Sequence, residues 1–419
     1  MTSTLELVID DLGAQGDGIA HYEGRAIFVA GTLPGERVLI KRSENAKDQQ
    51  RGELIKILST SPDRASPPCS HFPQCGGCRL QHLNTEPYTA WKTQQLAQIL
   101  AHEALNHAPL QSTIVTAPAT RRRARLAAKH TKEGLILGFN EWRGHTLVNI
   151  QSCAVLLPQL QNFIQNLRTK LFQWLPINSE CDVQITALAD GIDVVLIGGP
   201  ALGLDQRQDL AIIAEELNIA KLSWRKWDRS AVEPVAHRSP LSMTYNNSTV
   251  AFPPGSFLQA TATGEKALID FTIKAAGSSA KVLDLFCGLG GFGLSLPHAK
   301  QVHFADLDGP AIDALGQIVR QTPRFQIEQR HLINNAYTTH ECNAFDCVIF
   351  DPPRGGAKAQ AIQLAQSHVP VIVAISCDPP NFARDAKILI DGGYRLQSLQ
   401  PVDQFLWSTH LELAAHFTR

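Results

Sequence analysis

Residues 281–292 read Lys281-Val-Leu-Asp-Leu-Phe-Cys-Gly-Leu-Gly-Gly-Phe292, and this stretch decides the fold class of the C-terminal part of the chain. The run Lys281–Leu285 is typical of a buried strand, and the glycines after it let the backbone approach a ligand closely. Asp306 ends the next predicted strand about twenty residues after Asp284, where a carboxylate can accept hydrogen bonds from ribose hydroxyls. The sequence therefore predicts a nucleotide site at this turn. The turn is shorter than G-x-G-x-x-G, which favours S-adenosylmethionine over NAD.

Predicted strands and helices alternate from Lys281 to the end of the chain. A helix is predicted at Gly309–Arg320, and the last stretch resembles a closing antiparallel pair. This alternation predicts an α/β fold with a doubly wound, mostly parallel sheet. The other predicted strands are Gln301–Ala305, Phe325–Gln329, Cys347–Phe350, Val371–Ile375, Tyr394–Gln400 and His410–Phe417.

Three polar residues follow or begin strands of this predicted sheet. Cys377 stands between a buried strand and a helix that begins near Pro379, where free backbone N–H groups favour the thiolate. Asp351, in Asp-Pro-Pro-Arg354, ends the fourth strand close to the topological switch point. Glu412 lies on the last strand. Each has an ordinary alternative: a buried core cysteine, a rigid loop and a surface carboxylate, respectively.

Three of the nine cysteines are crowded in the pattern Cys69-x5-Cys75-Gly-Gly-Cys78. Thiolates on a tight, glycine-permitted loop can converge on one point, and Cys153 is available as a fourth ligand. All-sulfur ligation fits zinc or an iron–sulfur cluster, and the spacing leaves both open. Three unrelated core thiols are the alternative. The odd number of cysteines and their uneven spacing argue against a disulfide framework.

Composition indicates a soluble globular protein with two or three domains, since the chain has 419 residues, 44% hydrophobic and 18% charged. No apolar run approaches the length of a membrane span, and no signal peptide is recognisable, so we expect a cytoplasmic protein without a membrane partner. The net charge is −1, yet residues 64–180 carry 12 Lys and Arg against 5 Asp and Glu. This asymmetry favours a polyanionic partner, although a charge run is usually a solvated face. The positive charge peaks at four arginines: Arg121, Arg122, Arg123 and Arg125.

The N-terminal 60 residues are predicted to be β-rich. Short strands separated by glycines are typical of a small barrel of the oligonucleotide-binding kind. A proline- and serine-rich linker, Ser61–Pro68, follows. Helices are then predicted at Tyr88–Ala104 and, from the apolar spacing after Pro158, up to Trp174. The four predicted N-terminal strands are Leu5–Ile9, Arg25–Val29, Glu36–Lys41 and Gly52–Ile57.

Taken together, these motifs resemble the RNA uracil-C5 methyltransferases, in particular the iron–sulfur branch that makes 5-methyluridine in 23S rRNA. The resemblance covers nearly the whole chain. Its N-terminal part resembles a TRAM domain, an RNA-binding module. The matching segments are Gly16-Asp-Gly-Ile-Ala, Leu33-Pro-Gly-Glu-Arg-Val, Thr120–Arg125, Phe252-Pro-Pro-Gly-Ser-Phe-Leu-Gln259, Ser376-Cys377-Asp-Pro and Thr409-His-Leu-Glu412.

The resemblance implies three domains. They are a TRAM-like RNA-binding β-barrel (1–60), a central α+β domain with an iron–sulfur loop and a basic RNA-binding strand (61–250), and a Rossmann-like S-adenosylmethionine-dependent methyltransferase domain (251–419). It further implies a monomer with RNA as its partner. The implied 4Fe–4S ligands are Cys69, Cys75, Cys78 and Cys153. The implied cofactor-binding residues are Gln259, Phe286, Gly288, Gly290, Asp306 and Asp351, the implied RNA-binding residues are Arg121, Arg122, Arg123 and Arg125, and the implied catalytic residues are the nucleophile Cys377 and the general base Glu412.

Four positions depart from the usual family pattern. Asp306 stands where the family usually has Glu, which shortens the reach to ribose. Asp378 replaces the usual Asn after the nucleophile. His331 stands near the end of the third strand, where a small polar or acidic residue is common, and Gly291 stands where some members carry a polar side chain.

The chemistry is consistent with the resemblance. Carbon 5 of uracil is a poor nucleophile until a thiolate adds to carbon 6, and a base must then remove the carbon-5 proton. The substrate is expected to be 23S rRNA, with tRNA as the alternative. A cytosine-C5 enzyme would carry a second cysteine near Asp351, and an N-methyltransferase would carry an aromatic residue in place of Arg354. A non-catalytic RNA-binding scaffold with the same fold is the remaining alternative.

Overall fold

The computed structural model describes residues 4–42 and 50–419. The helices are α1 (Thr85–His102), α2 (Pro158–Trp174), α3 (Leu204–Glu216), α4 (Ala262–Ala276), α5 (Gly291–Leu294), α6 (Gly309–Val319), α7 (Thr339–Cys342), α8 (Lys358–Ala365) and α9 (Pro379–Asp391). The strands are β1 (Thr4–Val8), β2 (Asp11–Leu12), β3 (Asp17–Tyr22), β4 (Arg25–Ala30), β5 (Arg37–Arg42), β6 (Arg51–Ser59), β7 (Ile114–Val115), β8 (Arg123–Thr131), β9 (Gly134–Asn140), β10 (Leu147–Asn149), β11 (Ser179–Leu188), β12 (Gly191–Gly198), β13 (Lys221–Arg225), β14 (Glu233–His237), β15 (Ser242–Tyr245), β16 (Ser248–Ala251), β17 (Lys281–Leu285), β18 (Gln301–Asp306), β19 (Phe325–Gln329), β20 (Cys347–Phe350), β21 (Val371–Ser376), β22 (Arg395–Asp403) and β23 (Glu412–Thr418).

The chain folds into two compact units. The first comprises Met1–Gln95, Phe139–Ala154 and Phe405–Thr409, and the second comprises Leu96–Gly138, Val155–Gln404 and His410–Arg419. The division that the sequence predicts, at residues 60 and 250, stays a prediction. None of the helices in the described ranges combines the length and apolarity that a bilayer span requires.

The first unit contains a sheet in the order β1-β5-β6-β4-β3-β2. The four strands predicted from the sequence are present, and β2 and β3 are additional. β3 was missed because its Asp17-Gly18 start reads as a turn. A Cβ on Gly18 would lie 2.1 Å from the hydroxyl oxygen of Thr32, so glycine here permits a close approach inside a strand. Asp17 is buried and accepts a hydrogen bond from Arg79 at 2.5 Å.

The second unit contains a sheet in which β8 pairs with β9 and β11, followed by β12, β13 and β14. Helix α2 begins at Pro158, as the sequence predicts, and buries the expected apolar face. That face forms part of the hydrophobic core and consists of Leu160, Phe163, Ile164, Leu167, Leu171 and Trp174.

The larger sheet of the second unit has the order β19-β18-β17-β20-β21-β23-β22-β7. Strands β17 to β21 are parallel, and β23 pairs antiparallel with both β21 and β22. The chain leaves β17 first toward β18 and later returns on the other side at β20. The carboxyl ends of β17 and β20 therefore form the topological switch point, where ligands bind in sheets of this kind. The boundaries predicted for β17, β19 and β20 agree with the structure.

Candidate active site

The glycine turn after β17 is held in a conformation that few side chains adopt. Phe286, Gly288 and Gly290 have φ of 57°, 52° and 76°. The backbone N–H of Gly288 donates to a carboxylate oxygen of Asp306 at 2.8 Å. A Cβ on Gly290 would lie 2.8 Å from a methyl carbon of Leu315, so this position requires glycine for space as well as for φ. The turn is thus fixed by sterics and by one carboxylate.

Asp284 lies beneath this turn and is fully buried. One of its carboxylate oxygens accepts a hydrogen bond from the N–H of Gly293 at 2.9 Å. Burial raises the pKa of Asp284 to about 7, and the carboxylates of Asp351 and Asp306 act in the same direction. Asp284 therefore anchors the start of α5.

A cleft of about 460 Å³, including space open to solvent, lies over the turn. Of the six predicted cofactor residues, Gln259, Phe286, Gly288 and Asp351 line it. Gly290 and Asp306 are not among the lining residues. The remaining lining residues come from the end of β15, from the segment around α4 and from the turn: Tyr245, Phe257, Leu258, Glu265, Ile269, Cys287, Leu289, Gly291 and Phe292.

Two of the four departures from the family pattern have a structural explanation here. A Cβ on Gly291 would come within 3.2 Å of the Tyr245 ring, so a larger residue would push against the wall of the cleft. Asp378 is the N-cap of α9, where its carboxylate accepts from the N–H of Asn381 at 3.0 Å and from the side-chain amide at 2.9 Å. An Asn would offer the same acceptor. His331 is exposed beyond β19 and is not among the residues that line the cleft.

Strand pairing places Cys377 beside Glu412. In the antiparallel pair β21–β23, Ser376 is opposite Leu413. The next pair in this register is Cys377 and Glu412. It lies at the carboxyl ends of the parallel strands, where Asp351 also lies. Cys377 is half-buried and Glu412 is 2% exposed. The predicted nucleophile and the predicted base thus come from adjacent strands although 35 positions separate them in the sequence.

A chain of side-chain hydrogen bonds connects the two carboxylates. The amide nitrogen of Gln259 donates to Asp351 at 3.2 Å, and the amide nitrogen of Gln404 donates to Gln259 at 2.6 Å and to Glu412 at 2.9 Å. The side-chain oxygen of Gln404 accepts from the N–H of Ala260 at 2.9 Å. Gln259 and Gln404 are both buried, 6% and 2% exposed.

Sequence reasoning missed Gln404. The strand predicted from Tyr394 ends at Gln400, whereas β22 continues to Asp403. Gln404 therefore lies directly after the end of β22. The polar pair Asp403-Gln404, which directly follows the apolar pair Pro401-Val402, was the signal that could have identified it. Arg122 and Glu265, described below, were also not recognised as a pair.

The buried carboxylates shift one another's protonation. Burial raises the pKa of both Glu412 and Asp351. The negative charge of Asp351 raises the pKa of Glu412 further, and the negative charge of Asp306 raises the pKa of Asp351 further. Burial also raises the pKa of the Cys377 thiol to about 11, with Glu412 and Asp351 adding to the shift and Arg354 opposing it. The sequence predicted that backbone N–H groups favour the thiolate, and the Cys377 N–H does so, but burial and the two carboxylates outweigh it.

The four predicted RNA-binding arginines make contacts within the protein. Arg122 is buried: its Nε donates to the backbone oxygen of Gln259 at 3.0 Å, and its guanidinium lies 2.9 Å from Glu265. Arg123 donates to the backbone oxygen of Leu258 at 2.9 Å and lies over the Phe257 ring at 4.8 Å. Both side chains thus make contacts inside the protein, and the RNA-binding role that the sequence predicts for them stays a prediction.

The other two arginines flank this pair. Arg121 donates from Nε to the backbone oxygen of Arg123 at 3.1 Å. Arg125 is exposed and forms ion pairs with Asp182 at 2.5 Å and Asp228 at 2.7 Å. Strand β8 begins at Arg123, so Arg121 and Arg122 lie before the strand.

The four cysteines predicted as cluster ligands all belong to the first unit and are half-buried free thiols. Burial raises the pKa of Cys78 to about 12, and the charges of Cys153, Cys75 and Cys69 add to this shift, so the four thiols are electrostatic neighbours. Within the described ranges no group of three or more His, Cys, Asp or Glu side chains is arranged to hold a metal ion. A Cβ on Gly76 would lie 2.8 Å from the backbone oxygen of Asn140, so the loop needs glycine there.

Comparison with known proteins agrees with this architecture. Residues 2–48 match the model of the TRAM domain, and residues 326–419 match that of the tRNA (Uracil-5-)-methyltransferases. An uncharacterized RNA methyltransferase of Brucella melitensis is 38% identical over 426 residues, with 100% of this chain and 99% of the relative covered. The 23S rRNA (uracil(1939)-C(5))-methyltransferase RlmD of Shewanella piezotolerans is 33% identical, with 100% and 96% covered. The chain belongs to the RNA uracil-C5 methyltransferase family.

The fold of this RNA uracil-C5 methyltransferase also has a solved counterpart. The tRNA (uracil-54, C5)-methyltransferase of Pyrococcus abyssi, solved in complex with S-adenosyl-L-homocysteine, superposes with a TM-score of 0.75 at 22% identity, covering 99% of this chain and 100% of the other. The predicted α/β methyltransferase fold with an N-terminal TRAM domain is thereby confirmed.

Proposed function

We propose that this methyltransferase uses S-adenosylmethionine to methylate carbon 5 of a uridine in 23S rRNA. The observation that carries the proposal is the register of β21 and β23, which brings Cys377 and Glu412 together beside Asp351. A nucleophile, a base and a donor cleft then lie together at the carboxyl ends of the parallel strands. The topological switch point of the sheet lies at the same end, which is where the methyl donor is expected.

The reaction follows from the chemistry of these two residues. The Cys377 thiolate adds to carbon 6, and the electron pair of the carbon 5–carbon 6 double bond passes into an enolate. S-adenosylmethionine supplies an electrophilic methyl group on a positively charged sulfonium. Carbon 5 would take that methyl group as the methyl–sulfur bond breaks and its electron pair stays on sulfur, which leaves S-adenosylhomocysteine. Glu412 then removes the carbon-5 proton, and the electron pair left behind restores the double bond and expels the thiolate.

Charge decides when the thiolate forms. Burial and the carboxylates of Glu412 and Asp351 raise the pKa of Cys377 to about 11. A positive charge placed in the cleft would favour the thiolate, and Arg354 acts in the same direction. We therefore expect Cys377 to become more reactive when the positively charged methyl donor is bound.

The substrate is proposed from the relatives. The curated Shewanella relative, which this chain covers over 96% of its length, is named for a uridine of 23S rRNA. The Pyrococcus structure and the C-terminal family model are named for tRNA, and tRNA is the second candidate. The choice of 23S rRNA rests on the higher identity of the rRNA enzyme, 33% against 22%.

RNA contacts are proposed for the TRAM domain and for the arginines of residues 121–125. Phe257 is 61% exposed, lines the cleft and is stacked by Arg123, an arrangement that can receive a base. Arg121 and Arg125 would contact phosphate. Arg122 would act indirectly, by holding the backbone of Gln259.

We also propose that Cys69, Cys75, Cys78 and Cys153 hold a 4Fe–4S cluster. The charges of the other three thiols contribute to the raised pKa of Cys78, so the four lie near one another, as the all-sulfur ligation of such a cluster requires. All-sulfur ligation fits zinc as well, and elemental analysis distinguishes the two. The role of the cluster would be structural, because methyl transfer needs no electron.

The decisive experiment uses RNA in which the target uridine is replaced by 5-fluorouridine. Fluorine cannot leave as a cation, so a working enzyme transfers the methyl group and remains covalently attached through Cys377. The expected result is a protein–RNA band on a denaturing gel that requires S-adenosylmethionine and is absent in Cys377→Ala. No band with either 23S rRNA or tRNA fragments would refute the catalytic proposal and favour the RNA-binding scaffold. Mapping of 5-methyluridine by mass spectrometry in cells lacking the gene distinguishes the two RNAs.

A further inference from the structure

Gln404 occupies a position between the two halves of the candidate site. It directly follows β22, is 2% exposed, and faces the first residue of β23, Glu412. The orientation of its amide follows from its neighbours. The N–H of Ala260 can only donate, so the atom that faces it at 2.9 Å must be the side-chain oxygen of Gln404. The nitrogen is therefore turned toward Gln259 and Glu412.

The two hydrogens of that nitrogen serve different partners. One is donated to Glu412 at 2.9 Å and the other to the side-chain oxygen of Gln259 at 2.6 Å. Because the oxygen of Gln259 is engaged, its nitrogen faces Asp351, to which it donates at 3.2 Å. One amide thus sets the direction of the whole chain of hydrogen bonds. Both ends of that chain are carboxylates, and both receive a donor.

The charged groups around Glu412 make this donor important. Asp351 follows β20 and Cys377 follows β21, the strand next to β23. The charge of Asp351 raises the pKa of Glu412, and the charge of Glu412 raises the pKa of Cys377. Arg354 offsets charge at Cys377, while the guanidinium of Arg122 is paired with Glu265. The hydrogen bond from Gln404 favours the ionised form of Glu412 and so lowers its pKa.

We propose that Gln404 is a positioning residue that orients Glu412 for removal of the carbon-5 proton and ties it to the donor side of the cleft through Gln259. The inference rests on the proposed function and assigns to Gln404 a role in the second half of the reaction. Methyl transfer itself requires Cys377 and the donor. Release of the product requires an ionised, correctly directed Glu412.

The test uses Gln404→Met, which keeps the length of the side chain and removes both donors and the acceptor. With ordinary uridine RNA and S-adenosylmethionine, we expect the methylated covalent adduct to accumulate on a denaturing gel. The rising limb of the pH–turnover profile should move up by about one pH unit, a tenfold loss of turnover on the rising limb. Turnover should recover at higher pH, and the KM for RNA should stay within about twofold of wild type, since uniform binding is not removed.

A second variant protects against misfolding of the first. Gln404→Glu keeps the acceptor for Ala260 and places a carboxyl group beside Glu412, so the pH profile should move further in the same direction. The matched control is Gln360→Met. Gln360 is 1% exposed and donates to the backbone oxygen of Tyr337 at 3.1 Å, away from the cleft. It should lose stability without a change in pH profile or adduct.

Three outcomes separate the possibilities. An unchanged pH profile and no adduct in Gln404→Met would overturn the role of Gln404, and so would a shifted pH profile with accumulated adduct in Gln360→Met. If Glu412→Gln accumulates adduct while the Gln404 variants behave as wild type, only this inference fails. If wild-type protein forms no complex with 5-fluorouridine RNA, the proposed function itself fails.

Discussion

Replacing Arg122 by Ala should destabilise the protein and leave the salt dependence of RNA binding unchanged. The sequence alone predicts the opposite, because Arg122 lies in the most basic stretch of the chain. In the structure its side chain is buried, donates to the backbone oxygen of Gln259 and forms an ion pair with Glu265, whose own side chain is 14% exposed. The ion-pair contact lacks good hydrogen-bond alignment at the terminal nitrogen. The substitution therefore leaves a buried carboxylate without its cation.

The magnitude follows from that burial. Removing one partner of a buried ion pair costs about 3 to 5 kcal/mol, and the imperfect alignment places Arg122 at about 3 kcal/mol. For a unit of this size this corresponds to a fall in Tm of about 5 °C. Arg125→Ala is the matched control, because Arg125 is exposed and its surface ion pairs contribute at most about 1 kcal/mol.

The assay combines urea unfolding with RNA binding at several salt concentrations. The double variant Arg122→Ala/Glu265→Ala removes both partners, so no charge remains unpaired. Its loss in free energy of unfolding should be smaller, by about 1 kcal/mol or more, than the sum of the losses in the two single variants. If Arg122→Ala is as stable as Arg125→Ala and its salt slope falls by about 0.7, Arg122 contacts phosphate and the reasoning from burial is wrong.

Three further expectations concern other parts of the chain. Asp193 is fully buried, and burial raises its pKa to about 7, so folding favours its protonated form. The free energy of unfolding should therefore fall as the pH rises from about 4 to about 7. Urea unfolding of Asp193→Asn across this range should show a smaller fall, with no gain in stability at pH 3.5. Asp378→Ala should lose about 1 kcal/mol through the missing helix cap, whereas Asp378→Asn should stay within a few tenths of wild type; equal losses would contradict the capping role. Anaerobically purified protein should be brown and contain iron, and elemental analysis that finds stoichiometric zinc and no iron would contradict the proposed cluster.

Much of the methyltransferase sheet could be predicted because its strands are buried on both faces and read as short apolar runs. The Lys281–Leu285 strand and the glycine turn after it are examples, since only glycine tolerates the space beside Leu315. Cys377 and Glu412 were singled out from motifs, while their proximity depends on the antiparallel register of the last strand. That register is a property of pairing between distant segments, which local patterns do not encode.

The arginines and Gln404 show where local reasoning fails. A run of arginines is read as an exposed face, yet Arg122 turns inward because Glu265, more than a hundred residues later, supplies its counter-charge. Gln404 lies one position beyond a strand end whose location the sequence placed too early. Both depend on partners brought close only by the complete fold.

The pairing of β21 with β23 makes the site sensitive to small changes in chain length. Advancing β23 by one residue would displace Glu412 by about 3.3 Å along the sheet and turn its side chain to the opposite face. An insertion in the stretch before Glu412 leaves this pairing intact, whereas a single insertion between Glu412 and Leu413 does not. Length variation among functional homologues should therefore be found before Glu412 and be absent from the two paired strands, a pattern that an alignment of active enzymes can check.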